Sequence, residues 1–148
     1  MVSLVLVAHS DRLLAALIEM LGVPSTVGPR CFVAGGTEDG RMGTSLARVR
    51  TALRDGLDAS GDGCLVLYDT GSAWLTIGFA LDELTAGEMA RTFLSDAPLV
   101  EGALAAAARA AEGAPLAEVA AAAGAALESD KRPGSAVPGD DAGVRLTA

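Results

Sequence analysis

Apolar positions along this chain follow two rhythms, and the two alternate. Ser3 to Ala8 is a short, unbroken run rich in valine, the pattern of a strand buried on both faces. Leu13, Leu14, Leu17, Ile18 and Leu21 then recur at helical spacing until Gly22 and Pro24 stop the helix. Arg30 to Ala34 is a second brief strand, followed by a glycine-rich loop from Gly35 to Gly43. Leu46, Val49, Leu53 and Leu57 mark one face of a second helix that ends near Ser60 and Gly61. Cys64 to Tyr68 reads as a third strand with Asp69 at its end. Trp74, Ile77, Leu81 and Leu84 predict the buried stripe of a third helix. Ala90 to Ala97 is the fourth strand. Pro98 opens a helix that runs to Ala111, and Pro115 to Leu127 is another, rich in alanine.

Strands alternating with helices predict the α/β class: an open parallel sheet of four strands with helices on both faces and right-handed crossovers. The pattern stops at Ser129. Lys131-Arg132-Pro133-Gly134-Ser135 and Pro138-Gly139-Asp140-Asp141 are linker chemistry. The chain therefore divides into a domain over 1–128 and a flexible C-terminal tail over 129–148. Within that tail, Gly143 to Leu146 is the one candidate for a further edge strand.

Composition narrows the function classes. The sequence has 148 residues, enough for one domain with a real core. Aromatic residues make up 3% of it, so the core must be built from Ala, Val, Leu and Ile. The formal net charge is −8, which argues against a partner made of nucleic acid and against an anionic membrane surface. Cys31 and Cys64 lie inside apolar runs with no CxxC and no histidine beside them, the pattern of buried free thiols in a reducing compartment. The N-terminus lacks a basic stretch before its apolar run, and no apolar segment is long enough to span a bilayer. The expectation is a cytoplasmic protein.

Candidate chemistry gathers at the carboxyl ends of the strands. His9, the only histidine, follows the first strand. Asp69 follows the third, and the glycine-rich loop follows the second. Open α/β sheets bind ligands at this edge, where the strand order reverses. An order of 2-1-3-4 makes the first and third strands neighbours, so His9 and Asp69 can meet. A neutral imidazole is a good nucleophile, and a carboxylate on one ring nitrogen holds the tautomer and leaves the other nitrogen free. If Asp69 holds Nδ1–H, Nε2 is the attacking atom. A phosphoryl group there needs donors for its oxygens. Ser10 stands beside His9, Gly43-Thr44-Ser45 opens the second helix and Gly71-Ser72 opens the third, so all can offer N–H or hydroxyl donors. Each is equally an ordinary helix cap, and Asp69 can itself be one. There is no GxxxxGK[ST] loop, no useful GxGxxG and no kinase signature, which disfavours a self-contained ATP-using kinase. No metal site is expected.

Four segments together carry a resemblance. They are Leu4-Val5-Leu6-Val7-Ala8-His9-Ser10, Gly40-Arg41-Met42-Gly43-Thr44-Ser45, Tyr68-Asp69-Thr70-Gly71-Ser72-Ala73 and Ala97-Pro98-Leu99-Val100-Glu101-Gly102-Ala103. In this order and spacing the chain, from Met1 to about Leu127, resembles the phosphoryl-donor subunit of phosphotransferase-system-dependent dihydroxyacetone kinases, which has the mannose-type enzyme IIA fold. The resemblance implies that His9 accepts a phosphoryl group from the phosphocarrier HPr. His9 then passes it, through a phosphohistidine intermediate and with no bound cofactor, to ADP on the nucleotide-binding subunit of the kinase. It implies that Asp69 orients His9 and that the chain forms a homodimer. One departure is Thr70, where the kinase branch usually has leucine.

Three rival readings remain at this point. A mannose-type enzyme IIA of a sugar phosphotransferase system would use His9 in the same way with another acceptor. A receiver-like domain phosphorylated on Asp69 would need a pair of acidic residues after the first strand and a strand-end lysine; here there is Asp11 alone, and Lys131 is in the tail. A plain anion-binding module would leave the His9–Asp69 placement without a purpose.

Overall fold

The computed structural model describes residues 1–22 and 28–128. The expected tail, its strand candidate and Pro24 lie outside the described residues. Four parallel strands form one sheet in the order β2-β1-β3-β4. They are β1 (Ser3–Ala8), β2 (Cys31–Gly35), β3 (Cys64–Tyr68) and β4 (Thr92–Ser95). Around them lie α1 (Asp11–Leu21), α2 (Leu46–Ala59), α3 (Gly71–Leu81), α4 (Ala86–Met89), α5 (Leu99–Ala111) and α6 (Leu116–Ala125), closed by a 3₁₀ turn over Ala126–Glu128.

Every residue of β1 is buried, because it is central and covered on both sides. Strand side chains alternate between faces, and the two cores divide accordingly. Leu4, Leu6, Leu65 and Leu67 pack with Leu14 and Leu17 of α1 and with the alanine-rich faces of α5 and α6. Val5, Val7 and Val66 pack with Val49, Leu53 and Leu57 of α2 and with Ala73, Ile77 and Ala80 of α3. Gly22 ends α1 with φ 58°, a left-handed conformation that glycine adopts without a Cβ penalty.

The fold departs from the expected pattern in several places. Trp74 was expected in the core but is exposed, and the buried stripe of α3 is Ala73, Ile77 and Ala80. The reason is phase: Ala73 and Ala80 lie with Ile77 on the side that packs on the sheet, and Trp74 falls off that side. The fourth strand is confined to Thr92–Ser95, because Ala90 and Arg91 form the turn that ends α4, their N–H groups bonded back to Ala86 and Glu88. A capping box at Thr85 and Glu88 closes the N-terminal end of α4. Cys31 is only half-buried, since β2 is an edge strand; Cys64 is buried as expected. Burial pushes the Cys31 thiol up to about 11 and the Cys64 thiol up to about 12.

Candidate functional site

The sheet register brings two distant segments together. Val7 of β1 pairs with Tyr68 of β3, so the residues just past them, His9 and Asp69, emerge side by side. The N–H of Asp69 donates to the Val7 carbonyl at 3.2 Å, which extends the ladder to the last residue before the loop. On the other side, the Gly36 N–H donates to the Ala8 carbonyl at 3.1 Å and the Gly43 N–H to the His9 carbonyl at 3.0 Å. The backbone carrying the imidazole is thus held from both neighbouring strands.

The ring is held as firmly. His9 Nδ1 lies 2.9 Å from Asp69 Oδ1 and 3.0 Å from Oδ2. The His9 main-chain N–H also donates to Oδ2, at 2.8 Å, and the Thr70 N–H donates to Oδ1 at 2.7 Å. Burial raises the Asp69 carboxyl, but the bonds from the His9 backbone and ring and from Thr70 outweigh it, and the group sits below the usual carboxylate range. An ionised carboxylate only accepts, so Nδ1 carries the ring proton. Nε2 is then the lone-pair nitrogen. It accepts from the Ser72 hydroxyl at 2.5 Å, and Ser72 is exposed at the start of α3.

A family model described as the PTS system fructose IIA component, EIIA-man, matches residues 3–120. The chain belongs to the EIIA-man family. Among curated proteins this EIIA-man chain is 38% identical to the phosphoryl donor subunit DhaM of PEP-dependent dihydroxyacetone kinase from Klebsiella michiganensis, over all of this chain and 31% of that protein. It is also 38% identical to the DhaM of Escherichia coli, over 99% of this chain and again 31% of the relative. The chain therefore spans less than a third of the length of these two relatives. The DhaM of dihydroxyacetone kinase 2 from Listeria innocua is 36% identical, over 72% of this chain and 84% of that one. A crystal structure of a protein of unknown function superposes with a TM-score of 0.66 at 30% identity, covering 82% of this chain and 91% of its own.

The EIIA-man frame brings some of the expected residues to the imidazole and gives others structural partners. Ser72 is on Nε2, and Gly43 is on the His9 backbone. Gly71 begins α3, whose N-cap is Thr70 and not Asp69; the Asp69 carboxylate is turned to His9 and the Thr70 N–H. Ser10 caps α1, accepting from the Leu13 N–H at 3.4 Å. Ser45 caps α2 through the Arg48 N–H and donates to Glu38 at 3.1 Å. The Thr44 and Thr76 hydroxyls share a hydrogen bond of 2.7 Å, tying the glycine-rich loop to α3 one turn below Ser72. Thr76 was not among the expected residues; its signal is its spacing of four from Ser72 on one helix.

A cavity of about 290 Å³ opens beside His9, walled by Ser10, Asp11, Arg12, Gly40, Arg41 and Met42. Two arginines, Arg12 and Arg41, are among the residues that line it. Their part in the wall could not be read from the chain alone, because it depends on how the loop folds over the start of α1. Among the described residues no group of three or more His, Cys, Asp or Glu is placed to hold a metal. No helix among them is long and apolar enough to cross a membrane.

Proposed function

We propose that His9 carries a phosphoryl group between two partner proteins, accepting it from HPr and delivering it to ADP on the nucleotide-binding subunit of a dihydroxyacetone kinase. The observation that supports this reading is the fixed tautomer: Nδ1 faces the Asp69 carboxylate, and Nε2 points to an exposed hydroxyl that can rotate aside. The names of the DhaM relatives, phosphoryl donor subunits of PEP-dependent dihydroxyacetone kinase, support the acceptor.

In the forward step the Nε2 lone pair attacks the phosphorus of the donor. The new N–P bond forms as the donor's own bond to phosphorus breaks, and the donor nitrogen takes back its electron pair. The ring gains positive character, which the ionised Asp69 stabilises through Nδ1–H. Ser72, released from the lone pair, can donate to a phosphoryl oxygen. Delivery reverses the geometry, with a terminal oxygen of ADP as the nucleophile. Catalysis here is positioning and charge stabilisation, with no proton transferred at Nε2.

The test is label transfer from phosphorylated HPr. The wild-type chain is expected to take up label that is lost in acid and kept in base, and His9→Ala is expected to take up none. Adding the nucleotide-binding subunit with ADP should move the label into ATP. Normal labelling of His9→Ala, or acid-stable and base-labile label, would overturn the assignment.

A further inference from the structure

We infer that the solvent face of α3 is the docking surface for the protein that delivers the phosphoryl group to His9. This rests on the phosphohistidine reading above and goes beyond it by naming the surface.

The helix from Gly71 to Leu81 contains no charged residue. Its buried side is Ala73, Ile77 and Ala80. Its outer side carries Trp74, Leu75 and Phe79, which are 51%, 56% and 64% exposed. The solvent face of a surface helix is ordinarily polar, and a contiguous apolar patch marks an interface. With 3.6 residues per turn, Ser72, Leu75 and Phe79 fall within about 60° of one another around the helix and run about 10 Å along it. The first member of that stripe touches Nε2. The apolar face therefore begins at the reacting atom.

That continuity selects the occupant. A second copy of the chain seated permanently on the stripe would cover Ser72 and close the approach to Nε2. A nucleotide acceptor can reach Nε2 with its diphosphate arm while the protein that holds it stands off. A donor that carries its phosphoryl group on a short side chain of its own has no such reach. Its surface must come within about the length of two side chains and a phosphorus atom of β1, and so must cover the first turns of α3. The partner face that fits is apolar and uncharged around its phosphorylated side chain.

The test uses the full chain with Leu75→Gln, Phe79→Gln and the double substitution, which remove apolar surface without disturbing the buried side of α3. With phosphorylated HPr as donor, the double variant is expected to raise KM at least about tenfold and to change kcat by no more than about twofold. With phosphoramidate, a small donor that needs no docking, labelling of His9 is expected at the wild-type rate. An unchanged KM with HPr overturns the inference. So does an equal loss with phosphoramidate, which would place the effect inside the site. A KM change that accompanies a shift in oligomeric state, measured by sedimentation, would assign the stripe to a second copy instead. A wild-type chain that neither donor labels ends the phosphohistidine reading itself. A wild-type chain labelled at His9, with the variants unaffected, ends only the docking surface.

Discussion

Asp69 holds His9 at two points, through the backbone N–H and through the ring, and the two bonds do different work. The backbone bond fixes where the residue stands, and the ring bond fixes which nitrogen is free. Asp69→Asn should separate them. An amide oxygen can keep one contact, but its NH₂ can donate to Nδ1 and move the ring proton to Nε2. Phosphoryl acceptance is expected to fall by about 10²- to 10⁴-fold, measured as the initial rate of label uptake from HPr. The same carboxylate contributes to stability in a pH-dependent way. Its folded pKa lies below its unfolded one, so the contribution is full above the unfolded value and is lost as the pH falls through the folded value. The stability deficit of Asp69→Asn, taken from urea midpoints, is therefore expected to be largest near neutrality and to shrink below about pH 4.

Gly35, at the end of β2, shows how closely the elements around the site are set. A Cβ built there would lie 2.7 Å from Asp11 Cα and 2.8 Å from Asp11 N, backbone atoms that cannot turn aside. Gly35→Ala is expected to push the start of α1 from the sheet, cost about 1–3 kcal/mol in chemical denaturation and slow label uptake, since His9 lies two residues before Asp11. Cys64 tests the opposite face. Its thiol, on β3 under α2, is pushed up to about 12, so it should react with a disulfide reagent only at the rate of unfolding, while the half-buried Cys31 reacts sooner. The elements also show what could be read from the chain. β1 was plain because six consecutive buried residues leave no ambiguity. His9 and Asp69 were plain because each follows a strand. The phase of α3 was obscured because the helix is apolar nearly all round, so spacing has little contrast, and two of its three buried residues are alanines. Helix α4 was missed although Thr85 and Glu88 have capping-box spacing, because four residues carry no periodicity. The Thr44–Thr76 bond and the arginine-lined cavity depend on the path of a loop, which hydrophobic pattern does not encode.

At the scale of the molecule, the sheet separates two cores, and both reach the site. The leucine-rich side supports α1, which starts two residues after the imidazole, and the valine-rich side supports α3, which carries Ser72. Among the described residues, positions between Val2 and Ala123 supply these two clusters. A chain cut after Glu128 is accordingly expected to melt within about 3 °C of the intact chain by circular dichroism, with label uptake retained.

The pairing of β1 with β3 also sets a point in the life of the chain. His9 leaves the ribosome 60 positions ahead of the carboxylate that bonds its ring. Until Cys64–Tyr68 has emerged and zipped alongside Ser3–Ala8, the imidazole is an ordinary solvated side chain whose two nitrogens share the proton between them. The paired imidazole and carboxylate exist only once those strands have met, so the Nδ1–Asp69 hydrogen bond is itself a marker that the centre of the sheet has closed.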